Sequence, residues 1–386
     1  MAATKSMNNK KPPKVILYLG AGASYFAGYH TFFDFPDLLF DAKLRKAEGM
    51  PDLDPNSERI LIAIRDSLAQ NNQATTHDNF LWRLEGYNQF LRLNMIDPAL
   101  QGFIRDSSRL YDLSTCTQEA ISQISTTTVR HYGSKRVEQA KLADSLTYEN
   151  MRKVLCLYHA IAEINGPEAT LPIFTTNYDL FMEDLVTEFA GKDKIPVALI
   201  NGIPGQTKEL MAWNEREYSR QNSLSTFHLH RLHGCVSWFY HDQGDNNVYF
   251  HRKDAAQQPI NKLYAVYPGR EARIGIGPHG NSFRTFYQQL QVCDLVIFIG
   301  FSFRDDDVMH VLLKALAERR GRLKILVADL VNNKDDVSNK LEDASHRTSF
   351  PFRIPRSGEI ESVSMSFGSD AGFDTSILDL CQRLIK

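Results

Sequence analysis

Lys14-Val15-Ile16-Leu17-Tyr18-Leu19-Gly20-Ala21-Gly22-Ala23-Ser24 is the stretch whose reading decides the fold. Five consecutive apolar residues rich in β-formers, closed by a glycine, suit a strand buried on both faces, as inside a parallel sheet. Gly20 and Gly22 then mark a tight turn. At such a strand-to-helix turn, small residues let backbone N–H groups approach a phosphate, and the dipole of the next helix favours its negative charge. Two readings stand open from this stretch alone: glycine for backbone geometry, or glycine as the cradle of a nucleotide pyrophosphate. The dehydrogenase fingerprint is not met, because its third glycine would fall on Tyr25, while Gly28 comes later. No second strand ending in an acidic residue follows promptly, so hydride transfer is disfavoured.

The 386 residues are 43% hydrophobic and 23% charged, ordinary for a folded soluble chain with room for two or three domains, or for one large domain carrying an insertion. A net charge of −2 leaves no basic footprint for duplex nucleic acid or an anionic membrane. The five cysteines, Cys116, Cys156, Cys235, Cys293 and Cys381, are scattered and form no C-x-x-C pair, which argues against a disulfide framework and a thiolate zinc site. Met1 to Pro13 is polar, and no apolar run reaches membrane-spanning length. A cytoplasmic location is the expectation.

After the glycine turn comes an aromatic-dense loop, Tyr25 to Pro36, that reads either as a loop anchored by its own packing or as a flap over a ligand. From Asn56 to about Gly166 the pattern is helix after helix, with Ile60, Leu61, Ile64 and Leu68 at helical spacing in the first and the last running from Arg136 to Ile164. The expected organisation is therefore an α/β domain over 12–55 and 167–386, interrupted by an all-helical insertion over 56–166. The α/β pattern resumes at Leu171-Pro172-Ile173-Phe174-Thr175-Thr176-Asn177-Tyr178-Asp179, a short apolar strand ending in a polar cluster. Ligand crevices of parallel sheets lie at the carboxyl ends of strands, which puts Thr175, Asn177 and Asp179 beside the Gly20 turn. Asn177 or Asp179 as a mere helix cap is the competing reading. Further strands are expected at Pro196 to Ile200, Thr226 to Leu232, Asp294 to Ile299 and Leu323 to Ala328, the last ending at Asp329, with short β-rich pieces at Asn247 to Phe250 and Lys262 to Tyr267. Gly300-Phe301-Ser302 makes a second glycine turn, and Asp305-Asp306-Asp307 reads as capping a helix that starts near Asp306.

His228, His230 and His233 have a pattern open to metal binding, but no acidic ligand follows, and strand packing with hydrogen bonding explains them more simply. Cys235 lies two positions from His233, so a Cys-His nucleophile pair is conceivable, against the commoner use of cysteine as a small buried hydrophobe.

Four segments in fixed order carry more than any one of them: Gly20-Ala21-Gly22-Ala23-Ser24, Thr175-Thr176-Asn177-Tyr178-Asp179, His233-Gly234, and Gly300-Phe301-Ser302. Together they resemble the Sir2 (sirtuin-like) family: its G-A-G-x-S loop, its T-Q-N-I-D motif, its catalytic H-G and its G-T/F-S nucleotide loop. The resemblance implies NAD bound across a Rossmann-like parallel sheet of Sir2 type. Departures are equally specific. Gly28-Tyr29-His30-Thr31-Phe32-Phe33 stands where deacylase sirtuins read G-I-P-D-F-R, Thr176 replaces the glutamine, and the four-cysteine zinc module is missing. The pattern is similar instead to the zinc-lacking Sir2-like effectors of prokaryotic antiphage systems, which hydrolyse NAD, some with a HerA-type ATPase partner.

On that resemblance NAD is a substrate cut at its nicotinamide–ribose bond, no zinc is expected, and homo-oligomerisation is implied. His233 is the expected general base, Asn177 orients water and ribose, and Asp179 holds the nicotinamide carboxamide. Phe32 or Phe33 shields the reactive ribose. Gly20, Ala21, Gly22 and Ser24 form the phosphate loop beside Thr175, Gly300 and Ser302 contact the adenosine side, and Asp329 reaches a ribose hydroxyl. A non-hydrolysing NAD or ADP-ribose sensor is the alternative, followed by a deacylase or ADP-ribosyltransferase.

Overall fold

The computed structural model describes residues 12–29, 39–47, 52–71, 80, 83–84, 86–87, 114–124, 127–128, 145–166, 170–190, 193, 195–204, 210–220, 224–243, 246–252, 263–265, 277–329, 334–348 and 359–385. The expected strand is β1 (Val15–Leu19), and every residue of it is buried. It sits in the middle of a seven-stranded sheet together with β2 (Thr170–Thr175), β3 (Val197–Ile200), β5 (Ser225–Arg231), β9 (Leu295–Ile299), β10 (Lys324–Asp329) and β11 (Ile360–Ser364). The order is β11-β10-β9-β1-β2-β5-β3, and every neighbouring pair is parallel. Four other strands, β4 (Leu210–Ala212), β6 (Gly234–Gln243), β7 (Asn246–Arg252) and β8 (Leu263–Ala265), form a separate sheet in the order β4-β7-β6-β8 with antiparallel pairing.

Because side chains alternate along a strand, β1 feeds two cores. Val15, Leu17 and Leu19 pack with the helices Ser145–Ile164, Phe181–Phe189 and Phe373–Ile385 on one face. Ile16 and Tyr18 pack with Gly277–Val292, Asp306–Arg319 and Lys334–Arg347 on the other. This is the Rossmann-like, doubly wound arrangement that a strand apolar on both faces requires. Substantial helix separates β1 from β2, as the periodicity predicts. Its last member, Ser145–Ile164, lies on the sheet itself, burying Met151, Val154, Leu155, Tyr158 and Ile161 in the first core. The earlier helical residues make a third cluster around Leu61, Ile64, Leu68, Phe80 and Ile124. That cluster reaches Tyr178 and Val236, so the helical layer touches the chain beside Asn177, Asp179 and His233. Among the described residues no helix is long and apolar enough to cross a membrane.

Candidate active site at the carboxyl ends of the central strands

The two glycine turns meet face to face. β1 and β9 are paired in register from Val15↔Leu295 to Leu19↔Ile299, so the residues that follow emerge side by side. Gly20 N donates to Ile299 O (2.9 Å) and Gly22 N to Gly300 O (3.1 Å). A Cβ on Gly20 would overlap Gly300 O and lie 2.7 Å from Phe301 Cα, and one on Gly22 would lie 2.8 Å from Gly300 Cα. Gly300 has φ +62°, which a side chain rarely adopts. The glycines are thus needed for the approach of one backbone to another. Ala23 N donates to Gly20 O (3.0 Å), so the amides of Gly20, Gly22 and Ala23 are already engaged within the protein, and the loop does not present a row of open donors.

The polar cluster after β2 ties into this interlock. Thr175 Oγ1 donates to Leu19 O (2.8 Å), and Asn177 N donates to Thr175 Oγ1 (3.0 Å). Asn177 Nδ2 donates to Gly20 O (2.9 Å). Ser24 Oγ donates to Asp179 Oδ2 (2.7 Å), while Asp179 Oδ1 accepts from Phe181 N (3.0 Å). Asp179 thus accepts from the first amide of the following helix, and the cluster stands beside the glycine turn. Burial raises the Asp179 carboxyl above its ordinary value, opposed by the Ser24 hydrogen bond and the charge of Arg231. The Asn177 amide is anchored through its nitrogen. No donor among the described residues reaches its Oδ1, leaving that acceptor to a ligand or water.

Arg231, at the end of β5, holds the cluster from behind. Its guanidinium donates to Asn177 O (3.0 Å) and pairs with Glu183 Oε2 at 2.5 Å, with side-chain exposures of 2% and 13%. Burial opposes the arginine charge, and Glu183, with Cys235 and Asp179, more than offsets it. Nothing in the sequence pattern marked this pair; an arginine closing an apolar strand and an acid in the first turn of the neighbouring helix were the available signals.

His233 sits in the turn between β5 and β6, fixed by Leu232 N donating to Thr175 O (2.8 Å) and Val236 N donating to Tyr178 O (2.9 Å). Its ring lies 6.3 Å from that of Tyr178 and 6.5 Å from that of Phe283. Nε2 is 3.0 Å from Asp305 Oδ2, an ion-pair distance outside the alignment of a linear hydrogen bond. Asp305 does cap the helix Asp306–Arg319, as expected, its Oδ1 accepting from Val308 N (3.1 Å). Its contact with His233 was not foreseen.

The remaining candidates are placed less tightly. Ser302 is exposed just beyond β9, and Asp329 ends β10, half-buried, its carbonyl accepting from Met365 N (3.0 Å). Both lie at the carboxyl edge of the sheet, with Ser302 nearer to β1. Phe32 and Phe33 lie outside the described residues. His228 and His230 are packing residues: His230 stacks between Phe174 (5.0 Å) and Tyr218 (4.3 Å), and burial lowers the two imidazoles to about 4 and about 3. They line a cavity of about 520 Å³ near the amino ends of β1 and β2, away from the cluster. Among the described residues no group of three or more His, Cys, Asp or Glu is arranged to hold a metal. Cys235 is fully buried, its thiol pushed up by burial, which disfavours a thiolate nucleophile.

Among solved structures, the chain is similar to a mutant Sir2 homologue in complex with 2′-O-acetyl ADP-ribose, at 12% identity over 96% of this chain and 94% of that one, with a TM-score of 0.40. It is also similar to a Sir2 homologue–NAD complex, at 10% identity over 96% and 90% with a TM-score of 0.38. A third is Sir2Tm bound to a propionylated peptide, at 11% identity over 96% and 93% with a TM-score of 0.37. These likenesses are too distant to carry an activity. No curated protein matches the sequence. Residues 172–348 match the family model described as a SIR2-like domain, a segment that holds Asn177, Asp179, His233, Gly300 and Asp305 and begins after the glycine turn of β1.

Proposed function

We propose that this chain hydrolyses NAD at the nicotinamide–ribose bond, releasing nicotinamide and ADP-ribose. The observation that carries the reading is the gathering of Asn177 and Asp179 beside the glycine turn at the carboxyl ends of β1 and β2, with His233 at the end of β5, where Asn177, Asp179 and His233 all lie in the segment matching a SIR2-like domain. The chemistry suits so small a set of groups. The leaving nicotinamide carries a positive ring nitrogen, which accepts the bonding electron pair and departs neutral without an acid. Positive charge develops on the ribose, water adds at its C1′, and the water's proton must go to a base. His233 is that base, because imidazole exchanges protons near neutral pH. Asn177 orients the water and ribose through its Oδ1. Asp179, steadied by Ser24, faces the nicotinamide carboxamide. Ala21, Gly22 and Ser24 line the diphosphate side, Gly300 and Ser302 the adenosine side, and Asp329 a ribose hydroxyl, with Phe32 or Phe33 as the shield of the reactive sugar. No zinc is required.

Depletion of NAD is the biological output of such an enzyme, which fits an antiphage effector acting in the cytoplasm. Its control then lies in assembly with itself or with a HerA-type ATPase. A sensor that binds NAD or ADP-ribose without cutting it is the second reading, favoured by one observation: Tyr178, between Asn177 and Asp179, packs in the helical cluster and gives occupancy a route outward. Purified chain is incubated with NAD, alone and with candidate partners, and nicotinamide is quantified together with the thermal midpoint. Turnover lost in Asn177→Ala and His233→Ala supports hydrolysis. A midpoint raised by intact NAD that is never consumed supports the sensor.

A further inference from the structure

Asp305 uses its two carboxylate oxygens for two different tasks. Oδ1 accepts from Val308 N (3.1 Å) and so locks the carboxylate onto the start of the helix Asp306–Arg319, while Oδ2 lies 3.0 Å from His233 Nε2. The loop that brings it there is bent by two left-handed residues, Gly300 (φ +62°) and, unusually for an aromatic, Phe303 (φ +61°). Phe303 is held in that conformation by burial against Phe298 and Phe301, at 5.3 and 4.9 Å between ring centres. Non-glycine residues persist there only where their surroundings impose it, and such sites cluster around function. A helix cap needs one acceptor and no charge, so capping alone does not explain why a carboxylate, 9% exposed, also faces a buried imidazole.

We propose that Asp305 is the positioning residue for His233: its carboxylate, beside Nε2, favours the tautomer protonated there and stabilises the imidazolium once a proton arrives. This rests on the assignment of His233 as base. It follows the logic by which a carboxylate orients a catalytic histidine in other folds, without itself taking the proton. Groups that face His233 among the described residues include Asp305 from the loop after β9, Tyr178 from the loop after β2 and Phe283 from the helix Gly277–Val292. Tyr18 of β1 approaches Asp305, and its phenol is kept neutral, pushed well above its ordinary value chiefly by burial.

The test separates charge from capping. Asp305→Asn and Asp305→Ser both retain an acceptor for Val308 N and remove the negative charge, and Asp306→Asn, whose carboxylate pairs with Arg347 at 2.9 Å, is the control. Histidine-selective NMR, with His233 assigned through His233→Gln, reads the tautomer and titration of the imidazole in the full chain. Removing an adjacent opposite charge should lower the His233 midpoint by about one pH unit or more in both Asp305 variants, shift its tautomer toward a mixture, and do neither in Asp306→Asn. NAD cleavage should fall about tenfold or more in kcat, with a smaller change in KM, and the acidic limb of its pH profile should move down with the imidazole midpoint. An unchanged imidazole titration overturns the proposal whether or not NAD is cleaved. The expected NMR shift in a wild-type chain inert towards NAD supports the pairing and removes the hydrolase reading instead.

Discussion

The interlock of the two glycine turns makes a quantitative prediction, because three glycines separate its two causes. Gly28 has φ +81° and open space where a Cβ would stand, so Gly28→Ala carries only the left-handed backbone cost, about 1–2 kcal/mol. Gly20 has no such dihedral, but a Cβ there would overlap Gly300 O. Gly20→Ala therefore carries only the forced separation of two backbones, about 1–3 kcal/mol as for other overpacked sites. Gly300→Ala carries both, since its Cβ would overlap Ala23 N and lie 2.5 Å from Gly22 Cα at φ +62°, for a total of about 2–5 kcal/mol. Unfolding entropy is about 2.1 cal/mol/K per residue near 60 °C, so a 386-residue chain has about 0.8 kcal/mol/K. If it unfolds as one unit, Gly300→Ala should lower Tm by about 2–6 °C and Gly28→Ala by about 1–2 °C. Calorimetry on the three variants reads these values directly. A Gly300→Ala midpoint no lower than that of Gly28→Ala would refute the close approach, and with it the claim that these turns position one another.

Other consequences follow from the groups around the cluster. Arg231→Met should cost about 3–5 kcal/mol in urea unfolding by leaving Glu183 uncompensated, and the double variant with Glu183→Gln should recover part of that loss. Ser24→Ala strips a donor from the buried Asp179 Oδ2 and should cost about 1–3 kcal/mol, with Asp179→Asn in the same background regaining some of it. His230 is neutral in the fold with its midpoint lowered to about 3. The unfolded chain takes up that proton first, so its neutral state favours folding above about pH 6.5 and that advantage is lost as pH falls toward 3. Replacing it with phenylalanine, which keeps the stack between Phe174 and Tyr218, should flatten the decline in stability measured between pH 6.5 and 4.

The parts of this molecule legible in the sequence are those where one physical rule acts alone. Val15 to Leu19 is apolar without interruption because both faces are buried, and the same holds for Leu295 to Ile299. Thr175, Asn177 and Asp179 stand at a strand's carboxyl end, where a parallel sheet gathers polar groups. What escaped depends on partners far along the chain. β11 reads Ile-Glu-Ser-Val-Ser and is mostly half-buried, as an edge strand, so it lacks the continuous apolar signature. The helix Gly277–Val292 begins Gly-Pro-His-Gly-Asn-Ser, poor helix formers that fit only because Pro278, His279, Asn281 and Ser282 are buried. Asp305 was correctly read as a cap, but a cap position says nothing about what the second oxygen meets. Likewise, that Gly20 and Gly22 answer to Gly300 rather than to a ligand alone is a fact of register between β1 and β9.

The central claim is that Asn177 and His233 serve the cleavage of NAD by water. The most direct measurement is a proton NMR time course of NAD with the full chain, run beside Asn177→Ala and His233→Ala proteins shown to be folded by calorimetry. The account predicts that NAD is lost with equal amounts of nicotinamide and ADP-ribose formed, and that both variants are slowed by at least about a hundredfold, as for removal of a group acting in general base catalysis. Equal rates in all three proteins, or nicotinamide without matching ADP-ribose, would contradict it.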